Sequence, residues 1–346
     1  MKTLRLNRYS AHLAAIVGVL TAFGSMGCVE PSLINSSNPL AVSATTACSL
    51  RDTFRLIGGV VGGGGLATDK AYSSSNGTTW SEVGTLPAQL SGGSVVVSGD
   101  GQFAYIGGVN TAGVVQSVIT VGPLDASSWA NSAYSLPDER AYFAMVYFQG
   151  KYYMYGGYDQ AQNPQDNIYS STDGLNWVTE ATPLPAAMAG HDAVVFNNTV
   201  YIYGGADNAW AMQDWIYESA DGINFVATGT TLPAPWTGGI PTAITYNSKL
   251  YIIGGIDSGW QATGSIWSST DGENWAVEAG TLPEERAGHA TIISDGKIWV
   301  LGGYDRATGA RESTIWTTTD LAAFTSLGNL PVALFNTAVP VVPNCQ

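Results

Sequence analysis

Two histidines, two arginines and a set of evenly spaced carboxylates are the side chains of this 346-residue sequence with the best claim on chemistry. His191 and His289 are the only imidazoles beyond position 12. Two imidazoles without cysteine partners make a poor zinc or copper site, which needs more N or S donors, so no metal is expected. Asp159, Asp207, Asp257 and Asp305 each follow a Gly-Gly pair by two residues. Turned inward, they could ring a hard cation such as calcium. An Asp just past a turn more often accepts from its own backbone, and that local role is the expected one. Asp138, Glu139, Glu284 and Glu285 could support acid–base chemistry, with Arg140, Arg286, Arg306 and Arg311 as candidate anion holders. No nucleophile elbow or phosphate loop accompanies them, because Gly62 to Gly65 lack the Lys and Ser or Thr that a phosphate loop requires. No cofactor is expected.

The elements that must position these residues repeat. A Gly-Gly pair ends an apolar, strand-like run six times, beginning at Gly58, Gly107, Gly156, Gly204, Gly254 and Gly302, at spacings of 48 to 50 residues. Trp80, Trp129, Trp177, Phe225, Trp275 and Phe324 keep the same beat. So do six Leu-Pro pairs, from Leu86-Pro87 to Leu330-Pro331. Three markers in register over six units define a repeat architecture. Each unit reads as four strands, for which the third unit supplies KYYMYGG (a), NIYSSTDG (b), NWVTEATPLP (c) and HDAVVF (d). One such small sheet cannot bury both its faces, but a ring of them can.

The Gly-Gly pair after an apolar strand, the aromatic about 21 residues later and the period near 50 resemble the kelch repeat over residues 51 to 345. The resemblance implies an all-β fold, a six-bladed β-propeller of four-stranded blades. It implies little about activity, since kelch propellers include enzymes, adhesins and adaptor modules. The ligands that copper-oxidase members use are not offered here. A sialic-acid mutarotase family is also built on six kelch blades, but no motif singles it out. Arg140, Arg286, His191 and His289 occupy a phase where kelch repeats often carry Arg or His, and the resemblance implies recurrent hydrogen bonds between blades. The turn Ser171 to Trp177, repeated from Ser269 to Trp275 and varied from Ser219 to Phe225, resembles the Asp-box of sialidase propellers. As Asp-Gly between strands it is expected to be turn chemistry.

The N-terminal segment reads as an address. Lys2, Arg5 and Arg8 precede a short apolar run, Ala14 to Phe23, too short to span a bilayer. Residues 1–27 are read as a signal peptide, of lipoprotein type because Ser25-Met26-Gly27-Cys28 resembles a lipobox with Cys28 as the lipidated residue. Residues 28–47 are read as a flexible tether and 48–346 as the propeller. The expected location is exported: the outer membrane or cell surface through a lipid anchor, otherwise periplasmic or secreted. Net charge is −14, or −17 without the three leader cations, which argues against nucleic acid and leaves the anchor as the membrane contact. Cys48 and Cys345 flank the repeats, and a disulfide between them is expected to staple the ring, six continuous a–b–c–d units needing no strand borrowed across the junction.

The long a–b loops carry Tyr158, Trp210, Trp260 and Tyr304, and the c–d loops on the same face add Trp236, Arg140 and Arg286. Aromatic platforms beside carboxylates suit a sugar or a peptide. The expected function is a non-enzymatic, surface-exposed binding module for carbohydrate or protein. The alternative is an exported sugar-acting enzyme, an epimerase, mutarotase or glycoside hydrolase, on the same face.

Overall fold

A computed structural model describes residues 53–61, 66–234, 242–305 and 308–341. The expected signal segment and tether, Cys28, Cys48, Cys345, Trp236, Arg306 and Gly62 to Gly65 lie outside the described residues. Every regular element among the described residues is a β-strand. The strands form six blades in a ring, as expected for a six-bladed β-propeller.

Blades 3 to 6 are four-stranded antiparallel sheets. Blade 3 runs from its inner strand outward as Ala144–Phe148, Lys151–Tyr155, Ile168–Ser171 and Val178–Thr179. Blade 4 is Asp192–Phe196, Thr199–Tyr203, Trp215–Ser219 and Val226–Thr231. Blade 5 is Thr242–Tyr246, Lys249–Ile253, Thr263–Ser269 and Trp275–Arg286. Blade 6 is Ala290–Ser294, Lys297–Tyr304, Arg311–Thr318 and Thr325–Asn329. Blade 2 repeats the order with Ser94–Val97, Phe103–Ile106, Val118–Gly122 and Ala130–Ser135.

This grouping corrects the a–b–c–d reading. Strand d of one unit is the inner strand of the next blade, so each blade is built d–a–b–c. The reason is local. Asn197 and Asn198 (φ 48° and 58°), Asn247 and Ser248 (47° and 60°), and Asp295 and Gly296 (51° and 65°) are both-positive pairs joining d to the following a. Such pairs make two-residue hairpin turns, which force the flanking strands to pair with each other. Phe196 accordingly faces Thr199, and Ser294 faces Lys297.

The shift leaves blade 1 short of an inner strand. Its own strands are Phe54–Ile57, Leu66–Ser74 and Ser81–Ser91. The C-terminal segment supplies the fourth: Val61 pairs with Leu334, Val60 with Phe335, and Ile57 exchanges both backbone hydrogen bonds with Ala338 at 3.0 Å, all in one antiparallel register. Pro340–Val341 then runs parallel to Ser94–Val97 of blade 2. A strand is therefore borrowed across the closure, contrary to the continuous-unit expectation.

The apolar interior is divided into six clusters, each centred on a seam between neighbouring blades. The cluster between blades 3 and 4 joins Val146, Tyr153 and Ile168 to Ala193, Ile202 and Phe225. This is the burial that a lone small sheet lacks. Tyrosines of strand a fasten the seams on one face. Tyr155 and Tyr203 donate to the carbonyls of Gly222 (3.1 Å) and Gly272 (3.0 Å) in the b–c turn of the next blade. The Gly-Gly pairs are required on two counts. Gly254 has φ 63°, and a Cβ there would lie 2.7 Å from the Arg286 carbonyl oxygen.

Candidate functional site

The a–b loops and the linkers into each inner strand share one mouth of the ring, while the hairpins and b–c turns share the other. On the hairpin face, Asp173, Asp221 and Asp271 accept backbone N–H bonds of 2.8–2.9 Å inside their own turns. Asn76 plays the same part in blade 1 and Asp320 in blade 6. Those N–H groups hold the Asp221 and Asp271 carboxyls well below the usual carboxylate range. The Asp-box-like segments are thus turn-formers, as their Asp-Gly chemistry suggested.

On the opposite mouth the loop aspartates are also used locally. Asp207 Oδ1 accepts from the N–H groups of Ala209 (2.8 Å) and Ala211 (3.0 Å), and Oδ2 from Gln213 Nε2 (2.9 Å). Asp257 accepts from Gly259 and Gln261 in the same manner. Asp159 accepts from Asn163 and Gln165.

That turn fixes the next feature. The N–H of the third residue after the Asp bonds back to the Asp carbonyl, and the residue itself takes a left-handed conformation. In blade 3 it is Gln162 (φ 64°) and in blade 2 Gly113 (77°), which follows Asn110 in place of the Asp; in the longer blade 6 loop the left-handed residue is Gly309 (73°), the fourth after Asp305. Blades 4 and 5 place Trp210 (56°) and Trp260 (62°) there. A bulky residue pays roughly 1–2 kcal/mol for this region relative to glycine. Both indoles are half-buried over an apolar cluster that includes Tyr158, Ile256 and Ala287.

The other expected ligand residues divide by depth. Tyr304 is half-buried, stacked on Phe335 at 5.5 Å, with the Arg311 guanidinium 5.8 Å from its ring. Tyr158, Arg140 and Arg286 are only 4%, 1% and 0% exposed, a correction to their placement on an accessible surface. Tyr158 stacks on Tyr142 at 4.9 Å and meets Trp210 edge-on at 6.0 Å. Arg140 Nη2 donates to the Tyr169 hydroxyl at 2.6 Å, which donates on to Asp138 at 2.9 Å. Arg286 donates to the carbonyls of Gly302 (2.8 Å) and Thr314 (3.3 Å) and pairs with Glu284. These guanidiniums satisfy carbonyls and hydroxyls that the turning chain leaves unpaired, a role consistent with the resemblance.

The histidines are fully buried. Burial lowers both His191 and His289 to about 3, and the nearby Arg286 charge acts in the same direction on His289. Both imidazoles are therefore neutral across ordinary pH.

Two residues of the mouth escaped the sequence reading. Among the described residues, five linkers enter their inner strands through a left-handed residue: Gly92, Tyr142, Gly190, Gly288 and Asn336, with φ from 57° to 67°. The Tyr142 ring occupies the space over Gly92, and the Asn336 carboxamide the space over Gly288. Both are buried, and together they floor the mouth. The signal was the common phase of Gly92, Gly190 and Gly288, from which Tyr142 and Asn336 depart.

The model of the KLHDC2/KLHL20/DRC7 Kelch-repeats domain matches residues 143–325. No curated protein matches the chain.

Proposed function

The chain belongs to the kelch-repeat family of β-propellers, and from that premise we propose that it is a non-enzymatic binding module engaging carbohydrate or protein through the a–b loop mouth. Kelch propellers typically serve as interaction modules. The observation that carries the reading is the pair of tryptophans at left-handed loop positions in two adjacent blades. Glycine holds the matching position in blades 2 and 6 and Gln162 in blade 3, so the two bulky indoles sit there against local preference. Half-buried, they offer an aromatic face to a sugar ring or a peptide side chain while resting on the cluster beneath. An exported location behind the N-terminal signal, with a Cys28 lipid anchor and a Cys48–Cys345 disulfide, belongs to the same proposal.

The test is a glycan array and a surface-protein overlay run with Trp210→Gly and Trp260→Gly. Glycine is the residue other blades use there, so the fold should persist with a melting temperature within a few degrees of the parent. Binding should fall at least about tenfold, as truncation of an aromatic anchor implies. Binding untouched by both substitutions, or no ligand in either format, would count against the mouth as the binding face.

A further inference from the structure

We propose that the partner at this mouth is a cationic protein segment, a stretch of chain presenting lysine or arginine side chains; this rests on the reading above that the a–b loop mouth is the binding face. The motif Leu136-Pro137-Asp138-Glu139-Arg140-Ala141 recurs as Leu282-Pro283-Glu284-Glu285-Arg286-Ala287, 146 residues or three repeats later. Three repeats in a six-bladed ring is half a turn, so the two acidic pairs face one another across the mouth. In both copies the arginine is drawn under the surface, while Asp138, Glu284 and Glu285 stay exposed and Glu139 half-buried. The buried guanidinium answers the first carboxylate of each pair, through the Tyr169 hydroxyl for Asp138 and directly for Glu284. The second carboxylate of each pair is the one left for a ligand. Glu139 accepts a long, 3.4 Å bond from the Gln160 N–H.

The distribution of cations sharpens this. Among the described residues, the lysines are Lys70 on strand b of blade 1 and Lys151, Lys249 and Lys297 at the hairpin ends of the other face. Among the described residues the mouth has Arg140 and Arg286, both buried, and Arg311, which lies over Tyr304 and Phe335; Arg306 of the blade 6 a–b loop lies outside them. The floor residue Asn336 is 1% exposed, its carboxamide packed over Gly288 and beside Tyr142, and it adds no charge to the mouth. Aromatic faces beside carboxylates, with no exposed lysine to compete, are the surroundings a cationic side chain prefers over a neutral or acidic one. A neutral sugar gains nothing from the charge, and an acidic peptide is repelled by it.

The deciding experiment is fluorescence polarisation on the full chain. Its probes are a labelled lysine- and arginine-rich peptide of about ten residues and the same peptide with glutamate at the basic positions, read beside the neutral glycan array. The basic peptide should bind, the acidic one should not, and affinity should drop as salt rises from about 0.05 to about 0.5 M. The double variant Glu139→Gln/Glu285→Gln should bind roughly three- to tenfold more weakly, the scale of two exposed charge pairs. Glu273→Gln/Asp295→Asn on the opposite face should leave it unchanged. Equal losses from both double variants would mean nonspecific attraction to an acidic protein and overturn the proposal. So would a neutral glycan whose binding depends on Trp210 and Trp260 but not on Glu139 and Glu285; that result would leave the mouth as the binding face. Failure of every probe would take the binding-face reading down with it.

Discussion

Replacing Phe335 by alanine asks what holds the ring shut. Phe335 is fully buried, pairs with Val60, and stacks on Tyr304 with the Arg311 guanidinium 5.1 Å from its ring. Removing a buried phenyl ring costs about 3–5 kcal/mol through lost transfer energy and the cavity left behind. Single domains are stable by about 5–15 kcal/mol, so this is a large fraction of the whole. In a propeller of this size it corresponds to a fall in melting temperature of about 6–10 °C. Phe335→Leu, which keeps most of the volume, should cost less than about 1.5 kcal/mol. The assay is urea unfolding followed by intrinsic fluorescence, with thermal melts alongside and Phe324→Ala as the comparison, because Phe324 is half-buried at the outer edge of blade 6. If Phe335→Ala costs under about 1 kcal/mol, or no more than Phe324→Ala, the C-terminal strand does not close the ring.

Truncation before Leu334 should be more severe, since it removes the whole inner strand of blade 1; soluble protein with an unchanged melt would contradict that. Asp192, fully buried on the inner strand of blade 4, is pushed up to about 7 by burial, against the opposing effect of N–H bonds from Ala243 and Ala193. Its folded value exceeds the unfolded one of about 4, so the stability it contributes is fully present below pH about 4 and lost by pH about 7. Asp192→Asn should flatten that stretch of the stability–pH curve, measured by denaturant titration from acid to neutral pH. Asp173→Ala should cost about 0.5–2 kcal/mol through two lost backbone bonds, on the scale of a lost helix cap. Asp173→Asn should restore most of it because Asn76 already does this work in blade 1, and equal melts for the two variants would be the contrary result.

The features legible in the sequence were those whose cause is local. The Gly-Gly pairs mark positions of left-handed backbone, the Asp-Gly turns bond within themselves, and Trp177 packs beside the turn that precedes it. The grouping of strands was misread although its evidence was in view: Asn197-Asn198 and Asp295-Gly296 already required d to pair with the next a. Once that is granted, Phe54–Ile57 has no inner neighbour, and the last strand-like run is the candidate to supply it. The depth of Tyr158, Arg140 and Arg286 was not legible, because it depends on carbonyls and rings brought in from elsewhere in the fold. Trp210 and Trp260 were visible as aromatic loop residues, but their left-handed backbone emerges only when five loops are aligned on the bonded aspartate or its Asn110 counterpart in blade 2.

The borrowed strand also sets a clock. Ile57 and Ala338, bonded to one another, are 281 residues apart in the chain. At a synthesis rate of about 5–20 residues per second, the first blade waits on the order of 15–60 s for its partner to be made. Throughout that interval it presents an open row of backbone donors and acceptors, the kind of edge on which chains mispair. Blades 2 to 6 can each complete their four strands in order of emergence, whereas blade 1 closes only once the last strand has been made.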